Sequence, residues 1–213
     1  LGNRPSNSTL PILLPPRVHT LHLDIGFPFD RWETWDNVFH FPSHLRNLKL
    51  GEDCNKLRLV PMNSLLQPIA TLPYLNKLEV AHTFLVEEPI PGFPDIKFWP
   101  HLTHLSIHLA NVKLAHLILA SVPTTQWRML NLKLDDDDPN RPGIFQGLEH
   151  EDWGNLECLK LNYVDFVIHA ELVKHVYNLV DFAVRRVPPV SILNSLLLEV
   201  LSPNTHPTLQ TMV

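Results

Sequence analysis

The hexapeptide Leu45-Arg46-Asn47-Leu48-Lys49-Leu50 decides the fold of this chain, because its pattern, apolar-x-x-apolar-x-apolar, recurs along the sequence. The fourth and sixth residues of the pattern are two apart, which is the period of a β-strand with one buried face. We therefore predict a short strand in each copy, with Leu48 and Leu50 pointing into the core and Asn47 and Lys49 pointing away from it. Six further complete copies and the start of an eighth share the pattern, and their first residues are Val18, Leu75, Leu102, Trp127, Leu156, Leu179 and, for the incomplete copy, Leu209.

The spacing of the copies predicts how the strands are arranged. Successive copies begin 23 to 30 residues apart, whereas the strands of a two-sheet sandwich recur about every 8–12 residues. One strand cannot bury its own apolar side, so stacked neighbours must supply the core. We predict an α/β solenoid, with a curved sheet of adjacent parallel strands on the concave side and helices and loops on the convex side. A sandwich of two sheets is the less favoured alternative.

The segments between the strands differ from one repeat to the next. Four of them, residues 63–70, 112–121, 167–177 and 191–201, have the apolar spacing of short helices. Residues 87–100 and 135–142 contain prolines and predict extended or looped crossings instead. An apolar residue followed by proline stands just ahead of several strands, as in Phe41-Pro42, Leu72-Pro73 and Trp99-Pro100, where proline ends the preceding element. We therefore expect irregular repeats.

Length, charge and cysteine content narrow the possible classes of protein. With 213 residues, 45% of them hydrophobic, the chain is long enough to bury a continuous core in one elongated domain. A net charge of −5 lacks the basic footprint of a nucleic-acid-binding protein, so we expect no nucleic-acid partner. No apolar run approaches the roughly 18 residues of a membrane helix, so we expect no membrane insertion. The two scattered cysteines, Cys54 and Cys158, favour a reducing compartment, the cytoplasm or the nucleus.

Residue clusters that suggest chemistry do not form a recognisable site in the sequence. His101, His104 and His108 flank one predicted strand and do not converge as zinc ligands do. The acidic runs 135–138 and 149–152 are typical of solvated loops, and the first lacks the alternation and the glycine of a calcium loop. No nucleophile-elbow, phosphate-loop or paired-cysteine motif is present. We expect no metal, no cofactor and no catalytic residues, and an enzyme whose site assembles only in three dimensions is a distant alternative.

Two strand copies and one connector resemble a known family. The segments 44–50 and 74–80, each with a proline two or three residues ahead, resemble leucine-rich repeat proteins, and the segment 64–73 is similar to the repeat regions of fungal F-box proteins. The resemblance implies the substrate-recognition arm of a ubiquitin ligase, in which an F-box ahead of the repeats binds an adaptor. Residues 1–16 are too few and too proline-rich to be an F-box, so we expect that domain to lie outside this chain. Residues 1–17 are predicted to be an N-terminal lead-in, and residues 18–213 a leucine-rich repeat domain of seven repeats plus a truncated eighth.

The predicted function is therefore a non-catalytic protein–protein interaction module, with the ligand-sensing or inhibitory repeat domain of an immune-type receptor as the alternative. If the repeats stack, their third and fifth positions and the residue after the sixth share the concave face. That face carries five positive side chains against the three negative ones of Asp24, Glu79 and Asp181, which suits an acidic or hydrogen-bonding segment of a protein partner. We expect His104 and His108 to strengthen binding below about pH 6.5. The predicted partner-binding residues are Thr20, His22, Asn47, Lys49, Lys77, Glu79, His104, Ser106, His108, Met129, Asn131, Lys133, Lys160, Asn162 and Arg185.

Overall fold

The structure is a computed structural model of the chain. It describes residues 12–13, 15–23, 39–51, 58–59, 69–70, 72–81, 84–85, 99–109, 112–120, 122–134, 153–162, 176–185 and 208–212. The strands within these residues are β1 (Ile12–Leu13), β2 (Thr20–Leu23), β3 (Phe39–His40), β4 (Asn47–Leu50), β5 (Arg58–Leu59), β6 (Lys77–Val80), β7 (Phe84–Leu85), β8 (His104–Leu109), β9 (Met129–Leu134), β10 (Cys158–Asn162), β11 (Asp181–Arg185) and β12 (Thr211–Met212). The helices are α1 (Val112–Ala120) and a 3₁₀ turn at Thr124–Gln126.

Eight of these strands form one sheet, which we call the main sheet. Its order is β2-β4-β6-β8-β9-β10-β11-β12, and every pairing in it is parallel. Each copy of the hexapeptide contributes one of these strands, and the incomplete eighth copy contributes β12. The prediction that successive copies are adjacent and parallel is confirmed. Two separate two-stranded parallel sheets are formed by β1 with β3 and by β5 with β7.

The strands of the main sheet pair without a shift in register. The third position of each hexapeptide is opposite the third position of the next, so that Thr20 faces Asn47 and Asn47 faces Lys77. The backbone carbonyl just before each strand reinforces this register, because it accepts two N–H groups from the following repeat; His19, for example, accepts from Arg46 and Asn47. A slip of one residue would move every leucine to the opposite face, so the register keeps one face apolar along the whole sheet.

The apolar face of the main sheet lies in the core. Leu48 and Leu50 are buried while Asn47 and Lys49 are only partly covered, as predicted. The fourth and sixth positions of the next four copies are buried in the same way, namely Leu78, Val80, Leu105, Ile107, Leu130, Leu132, Leu159 and Leu161. Helix α1, predicted at residues 112–121, lies next to β8 and adds Ala115, Ile118 and Leu119 to this core. The described residues therefore establish an α/β architecture built on one parallel sheet.

Three tryptophans pack beside the strands rather than on the polar side. Trp99, Trp127 and Trp153 are fully buried. Trp99 donates its indole N–H to the carbonyl of Ile69 at 2.7 Å. That contact and its burial hold Trp99 at a φ of 51°, a left-handed conformation that is costly for a bulky residue. Trp127 and Trp153 meet edge to face with ring centroids 5.2 Å apart, a favoured aromatic geometry.

Several sequence predictions fall outside the described residues. These are the helix at 191–201, the crossing at 135–142, the acidic runs at 135–138 and 149–152, Asp24 and Cys54. Only Ile69 and Ala70 of the predicted helix at 63–70 are described, and both are helical. Of the predicted helix at 167–177, only Val176 and Tyr177 are described; neither is helical, so the prediction is wrong at these two residues, and Tyr177 lies in a turn. Among the described residues, no helix is long and apolar enough to cross a membrane.

Candidate interaction surface

The second face of the main sheet carries polar side chains in rows that run across the strands; we call it the polar face. The first row, from the third position of each hexapeptide, is Thr20, Asn47, Lys77, His104, Met129, Cys158, Asp181 and Thr211. The second row, from the fifth position, is His22, Lys49, Glu79, Ser106, Asn131, Lys160 and Ala183. A third, shorter row is His108, Lys133, Asn162 and Arg185.

Fourteen of the fifteen predicted partner-binding side chains are described, and all fifteen residues belong to these rows; Arg185 is placed by its backbone, opposite Asn162. The first row extends over eight strands, or roughly 34 Å at the usual strand spacing. The polar face is therefore a surface on the scale of a protein contact. It does not gather the predicted residues around one small-molecule site.

At the β4–β6 end of the polar face, the side chains satisfy one another. The Nζ atom of Lys49 lies 2.9 Å from an Oε1 of Glu79, its direct neighbour in the second row. Asn47 donates from Nδ2 to Oγ1 of Thr20 at 3.0 Å, along the first row. The charge of Lys49 is thus balanced by a carboxylate of the same chain, whereas Lys77 adds an exposed positive charge in the first row.

At acid pH, the middle of the polar face carries less positive charge than the sequence suggested. Burial lowers the pKa of His104, and the positive charges of Lys77 and Arg128 lower it further. Its Nδ1 also lies 2.7 Å from Oγ1 of Thr103. The lowered pKa means that this imidazole becomes protonated at a lower pH than an ordinary histidine, and the strengthening of binding on acidification stays a prediction. Next to it, Asn131 donates from Nδ2 to Oγ of Ser106 at 3.1 Å.

Toward β9–β11 the polar face contains an open depression of about 410 Å³, which we call the β9–β10 hollow. Its polar lining is His108, Asn131, Lys133, Lys160, Asn162, Asp181 and Thr211, and Ala183 contributes a short side chain. The Oδ1 atom of Asn162 is buried and has no hydrogen-bond partner among the described residues. Amide oxygens in such positions normally find a donor, so this atom marks unfulfilled hydrogen-bonding capacity.

Besides the core residues Leu161 and Phe182, three residues of the polar face that line the β9–β10 hollow were missing from the predicted binding residues. Asp181 and Ala183 occupy the third and fifth positions of the seventh copy, so the sequence rows contained them, but they were not selected. Thr211 is the third position of the incomplete eighth copy. It was missed because a four-residue remnant gives a weaker pattern signal than a full copy; aligning the remnant with β11 would have placed it.

A further row of exposed side chains, which we call the turn ladder, lies at the turns that precede the strands. The rings of His44, Tyr74 and His101 follow one another with centroid distances of 6.3 and 6.5 Å and nearly parallel planes. All three residues are exposed, and the same turn position in later repeats holds Asn155 and Asn178. These two asparagines donate from Nδ2 to the carbonyls of Thr125 and Gly154 in the preceding repeat. The exposed side chains at these turns thus link neighbouring repeats. The turn ladder was not predicted from the sequence.

The titratable side chains of the described residues bear on metal binding and on nucleophilic chemistry. Within them, no group of three His, Cys, Asp or Glu residues is placed to hold a metal ion. Cys158 has a free thiol whose pKa is raised, chiefly by burial, against the lowering effect of Lys160. A raised pKa reduces the thiolate fraction, and the thiolate is the form that reacts. Comparison of the chain with protein-family models, with curated proteins and with solved structures finds no match.

Proposed function

We propose that this chain is a non-catalytic protein-interaction module of the leucine-rich repeat solenoid type, and that its polar face is the concave surface that binds a protein partner. Within that class, we propose the substrate-recognition arm of an F-box type ubiquitin ligase, with the F-box outside this sequence. Such an arm would act in the cytoplasm or the nucleus and would need no cofactor.

One observation carries the proposal, namely that a parallel sheet has a polar second face. Parallel sheets usually have both faces covered by helices, and their strands are then apolar on both sides. Here one face is a leucine-rich core, while the other carries lysine, asparagine, histidine and serine in register. Repeat proteins that stack one strand per repeat have this asymmetry, because their inner sheet surface is left open for a ligand.

The contacts along the chain support a stacked architecture. Each strand in the main sheet pairs only with the strands of the preceding and following copies, as a quasi-one-dimensional repeat requires. Helix α1 fills the connection after β8 on the apolar side, which suits a convex layer of helices and loops. The assignment to F-box proteins rests on the resemblance of the segments 44–50, 64–73 and 74–80 alone.

The test compares two charge reversals of equal size in the full-length protein. In the first variant, Lys77, Lys133 and Lys160 of the polar face become glutamate. In the control, Arg17, Arg46 and Lys113 become glutamate; Arg17 and Arg46 are exposed and precede their strands, and Lys113 belongs to α1, outside the rows. Both variants and the parent are expressed as tagged bait in the source cell, and captured proteins are quantified by mass spectrometry.

We expect the polar-face variant to lose specific partners that the control retains. Equal capture by both variants would move the binding surface away from the polar face. The F-box assignment has its own readout: the full-length gene product should include an F-box upstream of these repeats, and it should co-purify with a ubiquitin-ligase adaptor in all three forms. A full-length sequence without such a domain would reject that assignment and leave the interaction surface intact.

A further inference from the structure

The turn ladder has two parts, which use the residue just before each hexapeptide in different ways. In the later repeats this residue is Asn155, Asn178 or Thr208, and each of them donates to a backbone carbonyl of the preceding repeat. In the second, third and fourth repeats the residue carries a ring, and the ring nitrogen and oxygen atoms make no hydrogen bond with any described residue. The later side chains therefore serve the fold, whereas the rings leave their polar atoms available to a partner.

The three rings, which belong to His44, Tyr74 and His101, are regularly spaced and open to solvent. Their centroids are 6.3 and 6.5 Å apart, and the planes of neighbouring rings differ by 22° and 12°. Tyr74 is 53% exposed, and both histidines are exposed as well. Alternate side chains of an extended chain lie on one face and recur about every 6.6 Å. The spacing of the rings therefore matches that of alternate side chains in an extended segment laid across the repeats.

Backbone hydrogen bonds close the turns that carry the first and the last ring. The N–H of Leu45 donates to the carbonyl of Pro42 at 3.0 Å, and the N–H of Leu102 donates to the carbonyl of Trp99 at 3.0 Å. Both leucines are fully buried, so each turn is fixed to the core. Because these turns are already ordered, the rings lose little conformational freedom when a ligand binds, and more of the contact energy becomes affinity.

The charge around the rings disfavours a cationic ligand. The turns at 42–46, 73–76 and 100–103 contain no aspartate or glutamate. Arg46 is exposed and forms no ion pair with a described residue. A lysine or arginine brought against the ring faces would meet this positive charge with no carboxylate to offset it. An uncharged aromatic side chain has no such cost, and aromatic pairs are stabilised beyond the area that they bury.

We infer that the three rings of the turn ladder bind an extended segment of the partner protein that carries aromatic side chains at alternate positions. The segment crosses the repeats along the edge of the main sheet where the strands begin, and its successive aromatic side chains pack against neighbouring rings. The inference rests on the proposed function, because it extends the interface from the polar face to the adjoining edge and names the chemistry of the partner.

The first test uses the unaltered full-length protein, so it does not depend on the folding of a variant. The probe is a short peptide with phenylalanine at alternate positions and serine between, and the control peptide has the same composition with phenylalanine at every third position. Diethyl pyrocarbonate labels accessible histidines, and mass spectrometry gives the rate at each. The probe should slow the labelling of His44 and His101 by about threefold or more, because bound side chains cover the rings, and should spare His22, an exposed histidine of the second row. Equal protection by both peptides, or none by the probe, would overturn the inference.

The second test measures affinity by fluorescence anisotropy with the same probe carrying a fluorophore. Tyr74→Ser removes the middle ring and should weaken binding by about fivefold, the size of effect expected when stacked aromatic pairs are lost. Tyr74→Phe keeps the ring and should stay within about twofold of the parent. Tyr177→Ser is the matched control, since Tyr177 is 60% exposed and lies outside the three rings, and it should also stay within about twofold. Equal losses in Tyr74→Ser and Tyr177→Ser would indicate non-specific adhesion and overturn the inference.

Two other ligands test the chemistry of the segment. A peptide with glutamate at the alternate positions that binds more tightly than the phenylalanine peptide would overturn the aromatic assignment. Single-stranded RNA, whose bases also stack on aromatic side chains, would overturn it by displacing the peptide and binding more tightly.

The cell-capture experiment separates this inference from the proposed function. A variant with His44→Ser, Tyr74→Ser and His101→Ser should lose partners that a Tyr177→Ser variant keeps. If it keeps every partner while the polar-face variant loses them, the inference fails and the proposed interaction surface stands. If the polar-face variant also keeps every partner, the proposed function fails with it.

Discussion

The edge strand β2 and the central strand β8 are built from the same hexapeptide pattern but reach different depths in the core. Leu21 and Leu23 of β2 are only partly buried, whereas Leu105 and Ile107 of β8 are 1% and 0% exposed. β2 has one neighbour in the main sheet, while β8 has two and also α1 against its apolar side. The pattern therefore sets which face a side chain takes, and the number of stacked neighbours sets how completely that face is covered.

The largest expected effect tests this difference directly. Leu105→Ala should reduce the free energy of unfolding by about 2–5 kcal/mol, as truncation of a buried leucine does. Leu21→Ala in the edge strand should cost roughly 1 kcal/mol, because less apolar surface leaves the core there. Urea titrations of both variants, analysed with a common slope, check the contrast. Equal losses would show that depth in the sheet does not control stability.

A smaller effect concerns the tryptophans ahead of the central strands. Trp99→Phe removes the indole N–H that donates to the Ile69 carbonyl. Because that buried carbonyl is left without its donor, the free energy of unfolding should fall by about 1–3 kcal/mol more than the lost apolar contact alone would cost. The Nε1 atom of Trp127 is buried without a partner among the described residues, so Trp127→Phe also relieves a desolvation cost. We expect Trp127→Phe to be the milder of the two changes in thermal unfolding. The reverse order would mean that the indole N–H of Trp127 is satisfied in solution.

The ion pair between Lys49 and Glu79, near the β2 edge of the main sheet, should contribute less to the free energy of unfolding. The Lys49 and Glu79 side chains are 37% and 21% exposed, so their coupling energy should be about 0.2–1 kcal/mol. A double-mutant cycle with Lys49→Met and Glu79→Gln measures it, and the coupling should shrink in high salt. A coupling that salt leaves unchanged would indicate a pair more buried than the structure shows.

The smallest effect is at His104, which lies beside Leu105 and faces the polar side. His104→Ala should cost less than about 0.5 kcal/mol near neutral pH, so the pair Leu105→Ala and His104→Ala separates the two faces of one strand. Equal losses for the two would mean that the facing of β8 is wrong.

The lowered pKa of His104 adds a pH signature. The folded state binds this proton less readily than the unfolded chain, so the stability that His104 contributes is present above about pH 6.5 and is lost as the pH falls toward the lower folded pKa. His104→Gln should therefore lose less stability than the parent on acidification. Urea titrations at several pH values measure the stability of both proteins. If the two lose stability equally on acidification, the lowered pKa of His104 is contradicted.

The rows of the polar face could be predicted from the sequence, whereas the pKa of His104 and the depth of the β9–β10 hollow could not. The rows were predictable because each is a fixed position of a repeat, and aligning the copies also puts Lys49 beside Glu79. The pKa of His104 was not predictable, because it depends on Lys77 and Arg128 from two neighbouring repeats and on the water that packing removes. The depth of the β9–β10 hollow depends in the same way on how far each side chain extends from the sheet.

By itself, the sequence determined where the strands of the main sheet are, which of their residues face the core, and that successive copies lie side by side in parallel, but it did not predict the short pairs β1–β3 and β5–β7. These properties follow from local alternation and from a period that every copy repeats, so they are written in short segments. Only the tertiary structure decided that Leu21 is less buried than Leu105, that His104 resists protonation, and that Lys133, Lys160 and Asn162 surround one depression. Each of these properties arises from residues 20 or more positions apart, which meet only when the repeats stack.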